Sequence, residues 1–395
     1  MKLNKMQQTS VEMYYEFIKY PERRRRPWFE ISGPAGSGKT TTVKEAIRYA
    51  GIEDEYVAYM ALIGKATLAL RLTGLNAKTI HSSIYDLVNS YVIDDETGKI
   101  VRKENGMPKT RQQFVRKSKL EGDCRQIVAD EGGMIGREQG NDILSFGIPL
   151  LVLGDLNQLP PVMAKRMFLT DPDVVLNEIM RQDKDSPIIY LSQLATYGVP
   201  IPYGTYGNNE CIVIHKDQLT DEHLIESDIV ICETNQMRDT INKYIRKNIK
   251  HIEEPYLTEC DKIICRQNKW NVLLDDDIAL VNGLIGYVDR IYYDSPKTMM
   301  DIDFRPEFYE TKKFRRISID HKFPFKPYTE RKVINPMFSN GVLFEFGDCI
   351  TCHLAQGSQY DTVLVYVEHM GNSLYFRQWL YTAITRAKKK LILVI

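Results

Sequence analysis

Residues 33–40 read Gly33-Pro34-Ala35-Gly36-Ser37-Gly38-Lys39-Thr40, and this octapeptide decides the fold. It fits G-x-x-x-x-G-K-[ST] with the flanks that pattern requires: the apolar run Trp28 to Ile31 before it and the helix-forming stretch TTVKEAIRYA after it. Glycines let backbone N–H groups close around phosphates at a helix start, Lys39 reaches the outer phosphates, and the Thr40 hydroxyl suits Mg²⁺. Residues Gly33 to Thr41 therefore read as a nucleoside-triphosphate cradle inside a strand–loop–helix unit.

Outward from this loop, short apolar runs at Val57 to Leu62, Gln126 to Ala129 and Pro149 to Leu153 alternate with segments able to form helices. That is the pattern of a mostly parallel α/β sheet covered on both faces. A second α/β pattern begins near Ser186, places a strand over Asp228 to Cys232, and resumes with Val363 to Val367 and Leu391 to Ile395. Two segments interrupt these patterns. Tyr91 to Ile93 and Ile100 to Arg102 flank the turn-rich DDETGK and predict a hairpin, and residues 99–120 carry eight basic residues against one acid, Glu104. Residues 256–345 are rich in short β-like runs, aromatics and turns, which predicts a small inserted β-barrel. The expected domains are 1–183 with an insertion at 86–122, then 184–255 plus 346–395, with the barrel between them.

Composition sets the outer bounds. The 395 residues hold 52 Lys+Arg against 52 Asp+Glu, with 43% hydrophobic and 26% charged residues. This excludes a uniformly basic nucleic-acid coat and disorder as the default state. No apolar run approaches the roughly 20 residues that span a bilayer, and the first residues lack the apolar core of a signal peptide. Seven scattered cysteines suit reduced thiols better than a disulfide framework. A cytoplasmic, monomeric protein with no membrane partner is expected. Cys349-x-x-Cys352 and Cys260-x4-Cys265 suggest a four-thiolate zinc site, but alternate side chains of a strand face opposite ways, so no metal beyond Mg²⁺ is expected.

Asp130-Glu131 ends the apolar run QIVA. Asp130 is the candidate Mg²⁺ carboxylate and Glu131 the candidate group for polarising an attacking water, a pairing that favours hydrolysis over transfer to a second substrate. A third strand ends in Gly154-Asp155-Leu-Asn-Gln158, where Gln158 is placed to sense the γ-phosphate. Arg181 in NEIMR and Arg386 in YTAITRA are candidate cations for the charge that develops there.

In order, GPAGSGKT, ADEGGMIG, GDLNQLPPV, NEIMR, TCHLAQGSQYD and YTAITRA resemble the motif set of superfamily 1 helicases. The set is most similar to the 5′-to-3′ branch of RecD-like and Dda-like motors. The resemblance spans nearly the whole chain and implies two RecA-like parallel-sheet motor domains, a strand-separating β-hairpin pin at 86–122 and a Src-homology-like barrel at 256–345. It implies ATP and Mg²⁺ as cofactors, with Gln7 reading adenine and Gln359 near the ribose. It also implies Thr79, His81, Thr234, Asn235, His353 and Gln356 as DNA-binding residues. Single-stranded DNA and duplex junctions are the implied partners, together with single-strand-binding, replication or recombination proteins. In the barrel, Val281-Asn-Gly283-Leu-Ile-Gly286 resembles the family's N-G-x-x-G signature. Three departures stand out: Gly133 where the family commonly has Ser, Leu354 where it often has Lys, and Gln359 where it often has Glu. The expected function is a 5′-to-3′ DNA helicase. The alternatives are the motor subunit of a recombination nuclease, a DNA-binding protein switched by ATP without unwinding, and an RNA track.

Overall fold

The protein was analysed as a computed structural model, which describes residues 3–395 without 63, 95–96, 103–105, 162–164, 179–185, 275–277, 294–298, 335–338 and 340. The nucleotide-loop strand β1 (Trp28–Ser32) lies in a six-stranded parallel sheet with β2 (Val57–Ala61), β3 (Ala77–Thr79), β6 (Gln126–Asp130), β7 (Leu150–Gly154) and the short β8 (Val174–Val175), in the order β3-β2-β6-β7-β1-β8. Two intervening strands, β4 (Tyr85–Tyr91) and β5 (Thr110–Arg116), leave this sheet as an antiparallel hairpin. Strand residues alternate between two cores. Leu151 and Leu153 pack with Tyr14, Phe29 and Ile31 on one face. Leu150 and Val152 pack with Met60, Ile80 and Ile127 on the other. Burial on both faces is why these strands read as unbroken apolar runs. Helices α1 (Lys5–Lys19), α2 (Lys39–Tyr49), α3 (Gly64–Leu72) and α4 (Ile80–Ile84) belong to this first domain.

The chain continues through β9 (Gly204–Tyr206), β10 (Cys211–Ile214) and β11 (Ile229–Cys232) into a separate antiparallel unit. That unit comprises β12 (Lys262–Cys265), β13 (Lys269–Leu274), β14 (Ile278–Leu280), β15 (Ile285–Tyr292), β16 (Met300–Pro306), β17 (Phe314–Ile319) and β18 (Phe344–Phe346). The chain then returns as β19 (Cys349–Thr351), β20 (Tyr360–Tyr366) and β21 (Ala387–Val394). The second domain's sheet has the order β19-β11-β20-β21-β10-β9 and is parallel except where β9 meets β10. In the inserted unit, a five-stranded sheet β17-β16-β15-β12-β18 curls over a core of Phe304, Phe314 and Phe344, and an isolated bridge joins Ile319 to Val342 beside β18. Two of its glycines are required: Gly283 turns the chain with φ 87°, and in β15 a Cβ on Gly286 would overlap the Arg305 carbonyl.

The hairpin is longer than the sequence suggested. Bridges Ile93–Ile100 and Arg102–Pro108 lie toward its tip, while its main ladder pairs Tyr85–Tyr91 with Thr110–Arg116. Cys349 and Cys352 enter opposite cores of the second sheet, Cys349 from β19 and Cys352 from the short helix that follows it. Among the described residues, no helix is long and apolar enough to cross a membrane.

Candidate active site and nucleic-acid interface

Parallel strands carry their functional residues at their C-terminal ends. Register sets Thr79, Ala61 and Asp130 side by side, and Ser32 beside Gly154. Gly36 and Gly38 take φ 81° and 80°, so the loop can turn tightly into α2, which opens at Lys39 and carries Thr40 and Thr41 in its first turn. The Lys39 ammonium is held inward by the carbonyls of Gly33 (2.7 Å) and Pro34 (2.9 Å). Gln7 sits in a capping box with Asn4 at the start of α1 and donates from Nε2 to the Ser37 carbonyl at 3.3 Å. The candidate adenine-reading side chain therefore rests directly on the phosphate loop.

Asp130 ends β6 and accepts from the Glu131 backbone N–H at 2.9 Å. Glu131 has φ 52°, a left-handed conformation that a non-glycine residue holds only at a cost, and such strain clusters at functional sites. Neither residue is sealed from solvent, yet protein crowds both carboxyls. Desolvation pushes both above the usual carboxylate range, and the Asp130 charge pushes Glu131 further. Two cations oppose this at Glu131: Arg386 from the second domain and Lys39 from the first.

The third motif supplies the seam between the domains. Asp155 is buried and accepts from the Tyr381 hydroxyl of the second domain at 2.6 Å, from Asn157 N at 3.0 Å and from Gln158 Nε2 at 3.4 Å. The buried Gln158 Oε1 has no partner among the described residues, as an amide meant for a ligand would. Leu159 N donates to Thr382 Oγ1 at 3.0 Å. Arg386 is 2% exposed, with its guanidinium held by Thr382 O, Ser358 O and Thr385 Oγ1. Asp155 and Tyr381 lie inside quoted motifs, but nothing in the sequence showed that they bond to each other. Gln359 lies on the wall of a cleft between the two domains and the inserted unit. Arg181 lies outside the described residues.

A second cavity, of roughly 450 Å³, is lined by Thr79, His81, Lys78, Lys117 and Phe114 together with Ile278 and Val281 of the inserted unit. Thr79 caps α4. His81 sits edge-on to Phe114 at 5.3 Å, and burial pushes its imidazole below the usual histidine range. The other DNA candidates differ. Thr234 caps the helix Asn235–Tyr244 and donates to Glu368 Oε1 at 2.7 Å, while Asn235 donates to the Tyr328 hydroxyl at 3.1 Å. His353 is half-buried with its ring tilted towards Tyr375. Gln356 departs from its expected role on DNA: it is 1% exposed and donates to the Leu159 carbonyl at 3.1 Å, which makes it part of the interdomain seam. The aromatics of 305–332 are mostly structural, since Phe314 and Phe323 are buried and Phe308, Tyr309 and Phe325 pack against the inserted unit's core.

A phosphate loop and carboxylate pair on one sheet, with a buried arginine from a second sheet, form an arrangement suited to a P-loop nucleotide site built across two α/β domains. Residues 22–214 match the AAA domain family and residues 346–394 the UvrD-like helicase C-terminal domain family. The fold is similar to the Pif1 helicase of Bacteroides bound to single-stranded DNA (16% identity, 100% of this chain and 92% of that chain covered, TM-score 0.55). It is also similar to Pif1 helicase from Candida albicans (16% identity, 100% and 94% covered, TM-score 0.53). An uncharacterised protein of Methanocaldococcus jannaschii is 22% identical over 92% of this chain, which spans about a third (36%) of that relative's length. The fold is therefore similar to that of Pif1 helicases, and the two domain matches are to parts of ATPase and helicase families.

Proposed function

We propose that the protein translocates 5′ to 3′ on single-stranded DNA and unwinds duplex, driven by Mg-ATP hydrolysis between its two motor domains. The observation that carries this reading is the interdomain seam beside the phosphate loop, where Asp155 bonds Tyr381 and Leu159 N bonds Thr382, the residue whose carbonyl also holds the buried Arg386. Hydrolysis then depends on closure of two domains, and closure that alternates with opening converts hydrolysis into steps along a strand.

Each residue has a task. Lys39 and the loop N–H groups hold the phosphates, and Gln7 orients the base. Glu131, raised by its surroundings, is suited to accept a proton from the attacking water, while Arg386 stabilises the charge that develops on the γ-phosphate. Thr40 and Asp130 offer the hard oxygen donors that Mg²⁺ prefers, and the raised Asp130 carboxyl fits a site awaiting a cation. When bound, the ion neutralises charge on the β- and γ-phosphate oxygens. The strand's path is assigned to the cavity of Thr79, His81 and Phe114, where cations and an aromatic ring suit phosphates and unstacked bases. The hairpin beside it is assigned the separation of strands, with single-stranded DNA and junctions as partners.

Strand separation on 5′-tailed, 3′-tailed and blunt duplexes with ATP tests the whole reading, with Lys39→Ala and Glu131→Gln as inactive controls. Unwinding of the 5′-tailed substrate alone is expected. Unwinding of the 3′-tailed one refutes the polarity. ATP hydrolysis indifferent to single-stranded DNA, with no unwinding, favours an ATP-switched binding protein instead.

A further inference from the structure

The first turn of α3 is where the three units of the molecule meet. A Cβ on Gly64 would overlap Val281 of the inserted unit. A Cβ on Gly357 of the second domain would lie 3.2 Å from Ala66. Between these two contacts, Lys65 donates from Nζ to Glu307 Oε1 of the inserted unit at 3.0 Å and to the Tyr360 hydroxyl of the second domain at 2.7 Å. Lys262 adds a second cation 3.6 Å from Glu307 Oε2. Lys65 is 8% exposed, and lysines are buried this far almost only when paired. A cleft of roughly 920 Å³ surrounds the group, so a few side chains carry the contact.

From Tyr360 the path to the chemistry is short. The Tyr360 N–H donates to the Arg386 carbonyl at 2.9 Å, and the Arg386 guanidinium donates back to the Ser358 carbonyl at 3.1 Å. On the other side, α3 follows β2, whose last residue Ala61 lies in register with Asp130. Lys65 thus joins the end of the Asp130 sheet to the segment that holds Arg386, and Glu307 ties the same ammonium to the inserted unit.

We propose that Lys65 is a positioning residue for ATP hydrolysis: through Tyr360 it sets the segment carrying Arg386 against the Asp130–Glu131 edge, and through Glu307 it makes that setting depend on where the inserted unit sits. This rests on the proposed function, in which DNA lies against the inserted unit and stimulates turnover. Lys65 touches no substrate in this scheme, so its loss alters kcat rather than nucleotide binding.

The test measures steady-state ATP hydrolysis with and without single-stranded DNA for the wild type, Lys65→Met, Tyr360→Phe, Glu307→Gln and Arg386→Ala, and for Lys65→Met combined with Arg386→Ala. Displacing a catalytic group by about 1 Å costs up to roughly a hundredfold. Lys65→Met and Tyr360→Phe are therefore expected to lower DNA-stimulated kcat by about ten- to a hundredfold with KM for ATP within about threefold. Glu307→Gln should lower the stimulation by DNA while sparing the basal rate. Lys65→Met should cost nothing further when Arg386 is already alanine, because residues that act as a unit are not additive. Full additivity in that double variant, or a change confined to KM, overturns the proposal. Should Lys65→Met fail to fold, Tyr360→Phe, which removes one hydroxyl, decides: unchanged kcat overturns it. A wild type that hydrolyses ATP without responding to DNA overturns the proposed function, and this inference with it. A wild type stimulated by DNA, with Lys65, Tyr360 and Glu307 variants that keep the wild-type DNA-stimulated rate, overturns the inference alone.

Discussion

Gly132 and Gly133 adjoin the candidate catalytic carboxylates Asp130 and Glu131, and the structure separates their tolerances. A Cβ on Gly132 would overlap the Val152 Cγ1 methyl and lie 3.1 Å from the Leu153 carbonyl. Val152 is fully buried in β7, and its β-branch leaves little rotamer freedom for retreat. Gly132→Ala thus overpacks the first domain, a change that costs about 1–3 kcal/mol. For a unit of this size each kcal/mol moves the melting temperature by about 2–4 °C, so a drop of about 2–12 °C is expected. At Gly133 the nearest atoms, from Arg166, Asp155 and Leu169, are 3.7 Å from a Cβ, an ordinary contact, and its φ is not left-handed. Gly133→Ser, which restores the hydroxyl common in the family, should then stay within about 0.5 kcal/mol of the parent. Thermal and urea unfolding of both variants checks this. Equal losses, or a greater loss for Gly133→Ser, would refute the reasoning.

Removing the Tyr381 hydroxyl leaves Asp155 with Asn157 N and Gln158 Nε2 alone. Hydrogen bonds to charged groups contribute about 1.5–3 kcal/mol to stability, so Tyr381→Phe should lower the unfolding free energy by about that amount in urea unfolding, and a loosened seam should lower kcat/KM for ATP as well. Gly38→Ala puts a Cβ 2.5 Å from Gln7 Nε2 at a residue with φ 80°. Weaker ATP binding and a smaller preference for ATP over GTP are expected, and competition binding measures both. Burial holds the His81 and His353 imidazoles below their ordinary range, so the unfolded chain binds more protons just below the unfolded pKa of about 6.5. Stability should therefore fall as pH drops below that value, and replacing either ring with Gln should flatten the dependence in unfolding measured between pH 5 and 7.

The strands around Asp130 and the phosphate loop were legible because both faces of a parallel sheet are buried, which leaves short runs apolar throughout. The hairpin's main ladder was not. Its strand TRQQFVR mixes polar and apolar residues, and Phe114 and Val115 are both exposed, so no periodicity marks it. Only its tip, with turn residues around Gly98, announced itself. At the candidate site, motif position singled out Lys39, Asp130, Glu131 and Arg386, but it says nothing about where a side chain points. Gln356 therefore looked available to DNA, although a short helix turns it into the seam against Leu159. Asp155–Tyr381 and Lys65–Tyr360 were invisible for a related reason: each joins residues more than 200 positions apart, and no local pattern encodes such a contact.

The zero net charge also acquires a physical meaning. The segment 305–332 is rich in basic residues, yet several of them serve pairs within the protein. Arg305 and Lys313 bond Asp289, and Arg331 joins Asp239 beside a buried cluster in which Arg238 and Arg266 both pair with Glu345. Removing one member of such a cluster leaves a buried charge uncompensated, so these arginines are committed to holding the inserted unit on the second domain. Lys78 and Lys117 in the Thr79–His81 cavity are in a different position, since both share the exposed carboxylate of Glu121. The Lys78–Glu121 pair is exposed on both sides, and such pairs contribute little and are readily exchanged, whereas Lys117 is mostly covered and also bonds the Ser82 carbonyl. On the proposed reading, a phosphate entering that cavity displaces Glu121 from Lys78 at small cost, and the same exchange lets the strand go again. Grip and release by a motor then depend on weakly committed lysines such as Lys78, and a chain neutral overall supplies them.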